Sequence, residues 1–433
     1  MLFTNISYLN SDFEIVQGFV GVTDGRIEYL GQEAPPPGQA ASFSTSYSGK
    51  GRLLIPGLYN THSHVPMTLL RGYAEGLPLQ SWLYDSVFPF EAKITSEHAY
   101  PATCLAIAEM LRFGTVAFTD MYFFMDARAR AVAESGIKAN LCDGFMAFDD
   151  DVRYAGSEAA AANERYAQSY HNSYDGRLRI DLNIHSEYIS NPHVVREVAE
   201  HAVALGLGTH THISETRLEH EQCKQRRGGM TPVAYFDSLG FFAAPCTAAH
   251  CVFTEPGDWE ILRERGVTVA ANPASNMKLA SGFAPVPEML DAGLNVALGT
   301  DGVASNNSHD ILKELYLLAL IYKGASGDAT VVGPAQALRA ATLAGARSQG
   351  RLDCGTIALG NRADLVVLDV DVPWMRPVND LRNNLVFSAK GSDVVLTMVD
   401  GKVLYRDGEY LTLDVEKAAF EAQQATDTIR AAL

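Results

Sequence analysis

The chain has 433 residues, 47% of them hydrophobic, which is enough to bury a large core and fits one big α/β domain with a smaller companion. Its 51 acidic residues against 34 basic ones leave a formal charge of −17, which argues against a nucleic-acid backbone or an anionic membrane surface as partner. The opening Met1-Leu2-Phe3-Thr4-Asn5 has no basic stretch leading into an apolar one, and no run approaches the ~18–20 apolar residues of a membrane span, so a cytoplasmic location is expected.

Residues 1–55 alternate short β-like runs with turns: 13–22, the Asp24-Gly25 turn, 27–30, then the Pro35-Pro36-Pro37-Gly38 loop. The same texture returns at 363–368 and at 394–405, where Asp400-Gly401 marks the turn. Two β-rich ends flanking a different middle predict one small β-sandwich built from residues 1–55 and 356–433, with a terminal helix over 415–433 grouped with it.

The middle, 56–355, alternates strand and helix. An apolar run, Leu53-Leu54-Ile55-Pro56-Gly57, leads into His62-Ser63-His64 and predicts a strand ending in two imidazoles. In a strand, residues i and i+2 point to one side about 6–7 Å apart, so both rings can close on one metal ion. A helix follows over 95–114 with a Thr or Ser cap, and another over 191–206 with Pro in its first turn. Strand candidates lie at 115–121, 139–146, 178–185, 208–213, 246–252, 267–272 and 295–299. With the first there are eight, and eight strands separated by helical segments predict a (β/α)8, or TIM, barrel.

Polar residues interrupt these apolar strands at their C-terminal ends, where barrels of this kind place their active sites. His62 and His64 end the first, His212 the fifth, His250 the sixth and Asp301 the eighth. Three imidazoles and a carboxylate make an N/O site suited to one divalent metal ion, Zn²⁺ or Fe²⁺, with water in an open position. His210 shares the strand parity of His212; His212 is preferred because it lies nearer the strand end and brings Glu215 over the same mouth. Strand 178–185 carries no lysine to bridge a second metal, which favours one ion. The six cysteines, at 104, 142, 223, 246, 251 and 354, form no Cys-x-x-Cys pair and read as small buried hydrophobes in a reducing compartment.

The chain resembles the amidohydrolase superfamily, and within it the 5'-methylthioadenosine/S-adenosylhomocysteine deaminase family. The resemblance is carried by Pro56-Gly57-Leu58-Tyr59-Asn60-Thr61-His62-Ser63-His64, Met67-Thr68-Leu69-Leu70-Arg71-Gly72, Pro78-Leu79-Gln80-Ser81-Trp82-Leu83 and Pro89-Phe90-Glu91. It continues in His212-Ile213-Ser214-Glu215-Thr216, Ala249-His250-Cys251, Asn272-Pro273-Ala274-Ser275-Asn276-Met277-Lys278-Leu279 and Leu298-Gly299-Thr300-Asp301-Gly302. It implies an aminohydrolase whose metal is held by His62, His64, His212 and Asp301. Asp301 would take a proton from water, His250 would steer the nucleophile, and Glu215 would protonate a ring nitrogen of the purine.

The resemblance also implies that Glu91 accepts hydrogen bonds from ribose hydroxyls and that His185 touches the substrate, with Trp82 lining the pocket. Asp143 departs from the family pattern, which has an arginine there in members that accept the homocysteine carboxylate. A carboxylate at 143 predicts repulsion of that group and preference for small neutral 5' substituents; Arg153, in the following loop, reads as solvated. The expected substrate is a small adenosine-type nucleoside, with guanine, pterin or s-triazine rings as the alternative. The sequence leaves open whether the chain forms a homo-oligomer.

Overall fold

The structure, a computed structural model, describes residues 1–433, with side chains described everywhere except at 79 and 80, two positions of the Pro78–Leu83 motif. Eight strands form the barrel in chain order: Leu58–Ser63, Thr115–Tyr122, Lys138–Asp143, Leu178–Asn183, Gly208–Ile213, Cys246–His250, Thr268–Ala271 and Asn295–Leu298. Neighbours pair in parallel throughout. The seam between the last and first strands is closed by individual hydrogen bonds: Thr61 Oγ1 donates to Leu298 O at 2.8 Å, Thr300 N to Asn60 Oδ1 at 3.0 Å, and Asp301 N to His62 O at 3.0 Å. Those bonds place Asp301 beside His62.

The crossover helices follow their capping signals. Thr95 caps Ser96–Arg112, and Asn191 caps Pro192–Leu205 by accepting from the backbone of His193 and Val194 at 3.0 and 2.9 Å. Gly206 ends the second in the left-handed region at φ 66°, as a C-terminal glycine does.

One expectation is corrected at the entrance to the barrel. The run from Leu53 to Ser63 is two strands in two sheets, not one. Arg52–Pro56 pairs with Leu2–Leu9 and with Leu365–Asp369 in the terminal sheet, whereas Leu58–Ser63 pairs with Thr115–Tyr122 in the barrel. Gly57 makes the crossing, where a methyl group would lie 2.4 Å from Val116 Cγ2. Both halves are buried, so hydrophobicity does not register the break.

The chain ends assemble one nine-stranded mixed sheet, which includes both hairpins expected near the N-terminus and near residue 400. It wraps round its own core of Phe3, Ile6, Val20, Leu54, Val367 and Leu396, and the Asp24-Gly25 and Asp400-Gly401 turns meet. Lys138, 1% exposed, pins this layer to the barrel through Asp364 at 2.6 Å and Asp400 at 2.7 Å.

The terminal helix, Val415–Ala431, lies along Ser96–Arg112 on the barrel and not on the sandwich with which the sequence grouped it. Its Ala422, Ala425 and Ile429 complete an apolar cluster with Met67, Trp82 and Phe90, beneath the loop that follows the first strand. Among the described residues, no helix is long and apolar enough to cross a membrane.

Candidate active site

His62 and His212 sit on their strands, and His64 is one residue past the first strand's end. In each ring Nδ1 is engaged: His64 with Met121 O at 2.6 Å, His212 with His185 O at 2.7 Å, and His62 with His210 Nε2 at 2.8 Å. Such contacts fix the ring and leave Nε2 as the free donor. The Nε2 atoms converge. Those of His64 and His212 are 3.3 Å apart, and those of His62 and His64 lie 3.3 and 3.2 Å from Asp301 Oδ1. Ligands about 2.0–2.1 Å from a tetrahedral zinc lie about 3.3 Å from each other, so the donor spacing fits such an ion. His62 Nε2 is buried without a hydrogen-bond partner, the condition of a donor atom reserved for a cation. His210 packs one layer deeper and serves as the partner of His62.

Asp301 lies three residues beyond the eighth strand, with its backbone in the left-handed region at φ 59°. Ser275 and Ser305 each donate to its Oδ2 at 2.7 Å, leaving Oδ1 to the imidazoles. Gly299 makes this approach possible, because a methyl group there would sit 2.4 Å from Asn272 Oδ1 and 2.8 Å from His62 Cβ. Burial opposes ionisation of Asp301, but the neighbouring His62 and His64 rings outweigh it and hold the carboxyl well below its usual range. Burial also opposes charge on His64, yet Asp301 raises its pKa to about 9, while burial drops His62 to about 3.

His250 closes the sixth strand with φ 70°, followed by Cys251 at φ 50°, two successive non-glycine residues in a sparsely populated region that redirect the chain at the mouth. Its Nδ1 contacts Asn276 Oδ1 at 2.9 Å, and its Nε2 faces Glu215 Oε2 at 3.9 Å. His250 also joins His62 and Asp301 in a set whose donor atoms lie within 4.8 Å of one another. Burial pushes the Glu215 carboxyl up against the opposing pull of His250, the direction a proton donor needs.

Around this floor rises one funnel, with Trp82, Glu91, His185, Glu215 and His250 in its wall. Tyr122 OH donates to Glu91 Oε1 at 2.6 Å, and burial raises the Glu91 carboxyl. Burial lowers His185 to about 4, so its ring is neutral. Asp143 is not brought into the funnel. Its Oδ1 lies 3.7 Å from Nη2 of fully buried Arg128, and the wall continues instead with Gly144 and Met146. Arg153 is bound at the surface to Glu197 at 3.2 Å. Sequence reasoning gave no role to Tyr122, Ser275, Ser305 or Asn276; the last three lie in or near matched motifs, but only their contacts reveal what they hold.

A barrel with a nitrogen- and oxygen-donor cluster at the C-terminal ends of its strands, faced by a buried protonatable carboxylate, defines the class of metal-dependent barrel hydrolases. The amidohydrolase family profile matches residues 53–404, and the chain belongs to that family. It is 46% identical, over 87% of each chain, to a 5-methylthioadenosine/S-adenosylhomocysteine deaminase of Dictyoglomus thermophilum. To a 5'-deoxyadenosine deaminase of Methanosarcina mazei it is 40% identical, over 96% of this chain and 94% of that one. An adenosine deaminase structure from Xanthomonas campestris, with bound zinc, superposes with a TM-score of 0.91 at 31% identity, covering 99% of this chain and 98% of that one.

Proposed function

We propose that the protein hydrolyses the C6–amino bond of adenosine-type nucleosides, adding water and releasing ammonia and the inosine analogue. The observation that carries this reading is the convergence of two overlapping donor sets, His62, His64 and His212 and then His62, His250 and Asp301, in one funnel whose wall includes Glu215, 3.9 Å from His250. His62, His64, His212 and Asp301 would hold one divalent cation, with zinc the best fit to the donor set and Fe²⁺ also compatible. Such an ion, when bound, lowers the proton affinity of water enough for attack near neutral pH. Asp301 accepts the proton of the attacking water at Oδ1, since Oδ2 is occupied by two serine hydroxyls. His250, steadied by Asn276, turns Nε2 toward the attacking water and steers it. Glu215 gives its own proton to the ring nitrogen, which makes C6 electrophilic, and the proton taken by Asp301 passes to the amino group, which leaves as ammonia while the new hydroxyl returns a proton to Glu215.

Glu91, oriented by Tyr122, would accept from ribose hydroxyls, with Trp82 and His185 in the same funnel wall. Beyond them the described funnel wall is apolar, with Leu83, Val87, Phe88, Phe123 and Leu279, and it contains no lysine or arginine. The preference for neutral 5' groups therefore rests on the lack of a cation in the wall, in place of the repulsion expected from Asp143. Catalysis by residues 56–355 and a cytoplasmic setting belong to the same proposal.

Adenosine, 5'-deoxyadenosine, 5'-methylthioadenosine, S-adenosylhomocysteine, guanine and a triazine, each followed by its own absorbance change, test the reading. A charge-assisted contact is worth about 1.5–3 kcal/mol, so its absence should leave S-adenosylhomocysteine roughly ten- to hundredfold behind the neutral nucleosides in kcat/KM. Guanine or triazine turning over faster than every nucleoside would overturn the reading, and S-adenosylhomocysteine as best substrate would overturn its 5' part.

A further inference from the structure

Glu219 is 5% exposed, lies outside the funnel wall and has no part in the steps above. It occupies the first turn of the helix Arg217–Arg226, whose cap is Thr216. Its two carboxylate oxygens reach back over that cap. Oε1 accepts from Ser214 N at 3.0 Å and Oε2 from Glu215 N at 2.8 Å, so one side chain holds two consecutive peptide groups. Ser214 needs such a hold, because its backbone stands at φ 49°, in the left-handed region that a serine rarely adopts. That turn carries the chain out of the fifth strand and brings the next residue, Glu215, over the mouth opposite His250.

We infer that Glu219 is a positioning residue: its carboxylate clamps the Ser214–Glu215 peptides and so fixes where the Glu215 carboxyl meets the substrate. The inference rests on the proposed deamination, in which Glu215 carries the proton. A reacting group displaced by about 1 Å loses on the order of a hundredfold in rate, while the pocket that binds the nucleoside is untouched. Loss of the clamp should therefore appear in kcat and spare KM.

The test compares Glu219→Gln, Glu219→Ala and Thr216→Ala in the metal-loaded enzyme, with 5'-deoxyadenosine as probe. Thr216→Ala removes the helix cap, in which Thr216 Oγ1 accepts from Glu219 N at 3.2 Å, and leaves both clamp bonds in place. Glu219→Ala should lower kcat by about ten- to hundredfold with KM within about threefold and bound metal unchanged. Glu219→Gln keeps the shape and one acceptor oxygen but turns an amino group toward the other N–H, so its kcat should fall between alanine and wild type. Being isosteric, it also covers the case in which the alanine variant does not fold. Thr216→Ala should keep wild-type kcat even where its thermal stability drops. Wild-type kcat in Glu219→Gln, an equal loss of kcat in Thr216→Ala, or a loss confined to KM would each overturn the assignment. A wild-type enzyme that deaminates no nucleoside would overturn the functional reading and this inference with it, which separates the two failures.

Discussion

Asp301→Asn and Glu215→Gln are the same chemical change, a carboxylate to its amide, in the wall of one funnel, yet they should fail differently. Asp301 Oδ1 lies 3.2 Å from His64 Nε2, within the cluster of donor atoms. A carboxylate and a cation within about 4 Å attract by about 4 kcal/mol or more at an effective dielectric constant of ~20, which corresponds to about three orders of magnitude in cation affinity. The amide keeps the shape and surrenders that term, so bound metal and turnover should fall together. Glu215 is 3.9 Å from His250 Nε2 and belongs to neither cation-accepting set. Losing a general acid costs about 10²–10⁴-fold, or roughly 3–5 kcal/mol of barrier, with the metal retained. Elemental analysis of chelator-free, gel-filtered protein reads the first quantity, and the adenine-to-hypoxanthine absorbance change reads the second. If Glu215→Gln lost its metal as readily as Asp301→Asn, the division between ligand and acid drawn here would be wrong.

Gly299→Ala should drive a methyl group into Asn272 and His62, at a cost of about 1–3 kcal/mol, and should lower metal content more than it lowers the melting temperature; wild-type metal affinity would contradict the close-approach argument. Lys138→Met leaves Asp364 and Asp400 facing each other without their buried cation and should cost about 3–5 kcal/mol in thermal unfolding. Lys138 also holds the Asp364 pKa below its unfolded value, against burial, so this stabilisation is complete above about pH 4 and is lost as pH falls through the folded pKa; an acid-unfolding midpoint unchanged in the variant would refute it. Ile429→Ala removes a buried anchor of the terminal helix and should cost about 2–5 kcal/mol, and because its cluster includes Trp82 and Phe90, KM for nucleosides should rise as well. A stability loss with KM unchanged would separate that helix from the site.

The donor cluster was legible in the sequence because His62 and His212 interrupt apolar strands near the end that faces the mouth. His62 and His64 also share a face by simple alternation. Asp301 was assigned to the end of a strand that stops earlier, at Leu298; its position depends on a left-handed turn and the bond from its N–H to His62 O, which no periodicity encodes. The split at Gly57 escaped notice because a buried parallel strand and a buried sheet-core strand are both continuous apolar runs. Asp143 shows the opposite difficulty. The sequence put it inside a strand over 139–146, whereas the strand ends at Asp143; its neighbour Arg128 comes from the preceding helix, Met125–Ser135, and only the fold shows that the side chain lies against that guanidinium and outside the funnel wall. The helix at 415–431 was legible as a helix, whereas its docking surface was not, since its small buried face of Ala422, Ala425 and Ile429 fits many partners.

The central claim is that nucleoside deamination depends on a cation held by the imidazoles and Asp301. Its most direct measurement is a metal titration of the chelator-stripped protein, with 5'-deoxyadenosine deamination followed at each addition. Activity should be absent at the start, rise in proportion to bound Zn²⁺ or Fe²⁺ and stop rising at one ion per chain. Undiminished deamination by the stripped protein, or a loaded protein that leaves the nucleoside intact, would contradict it.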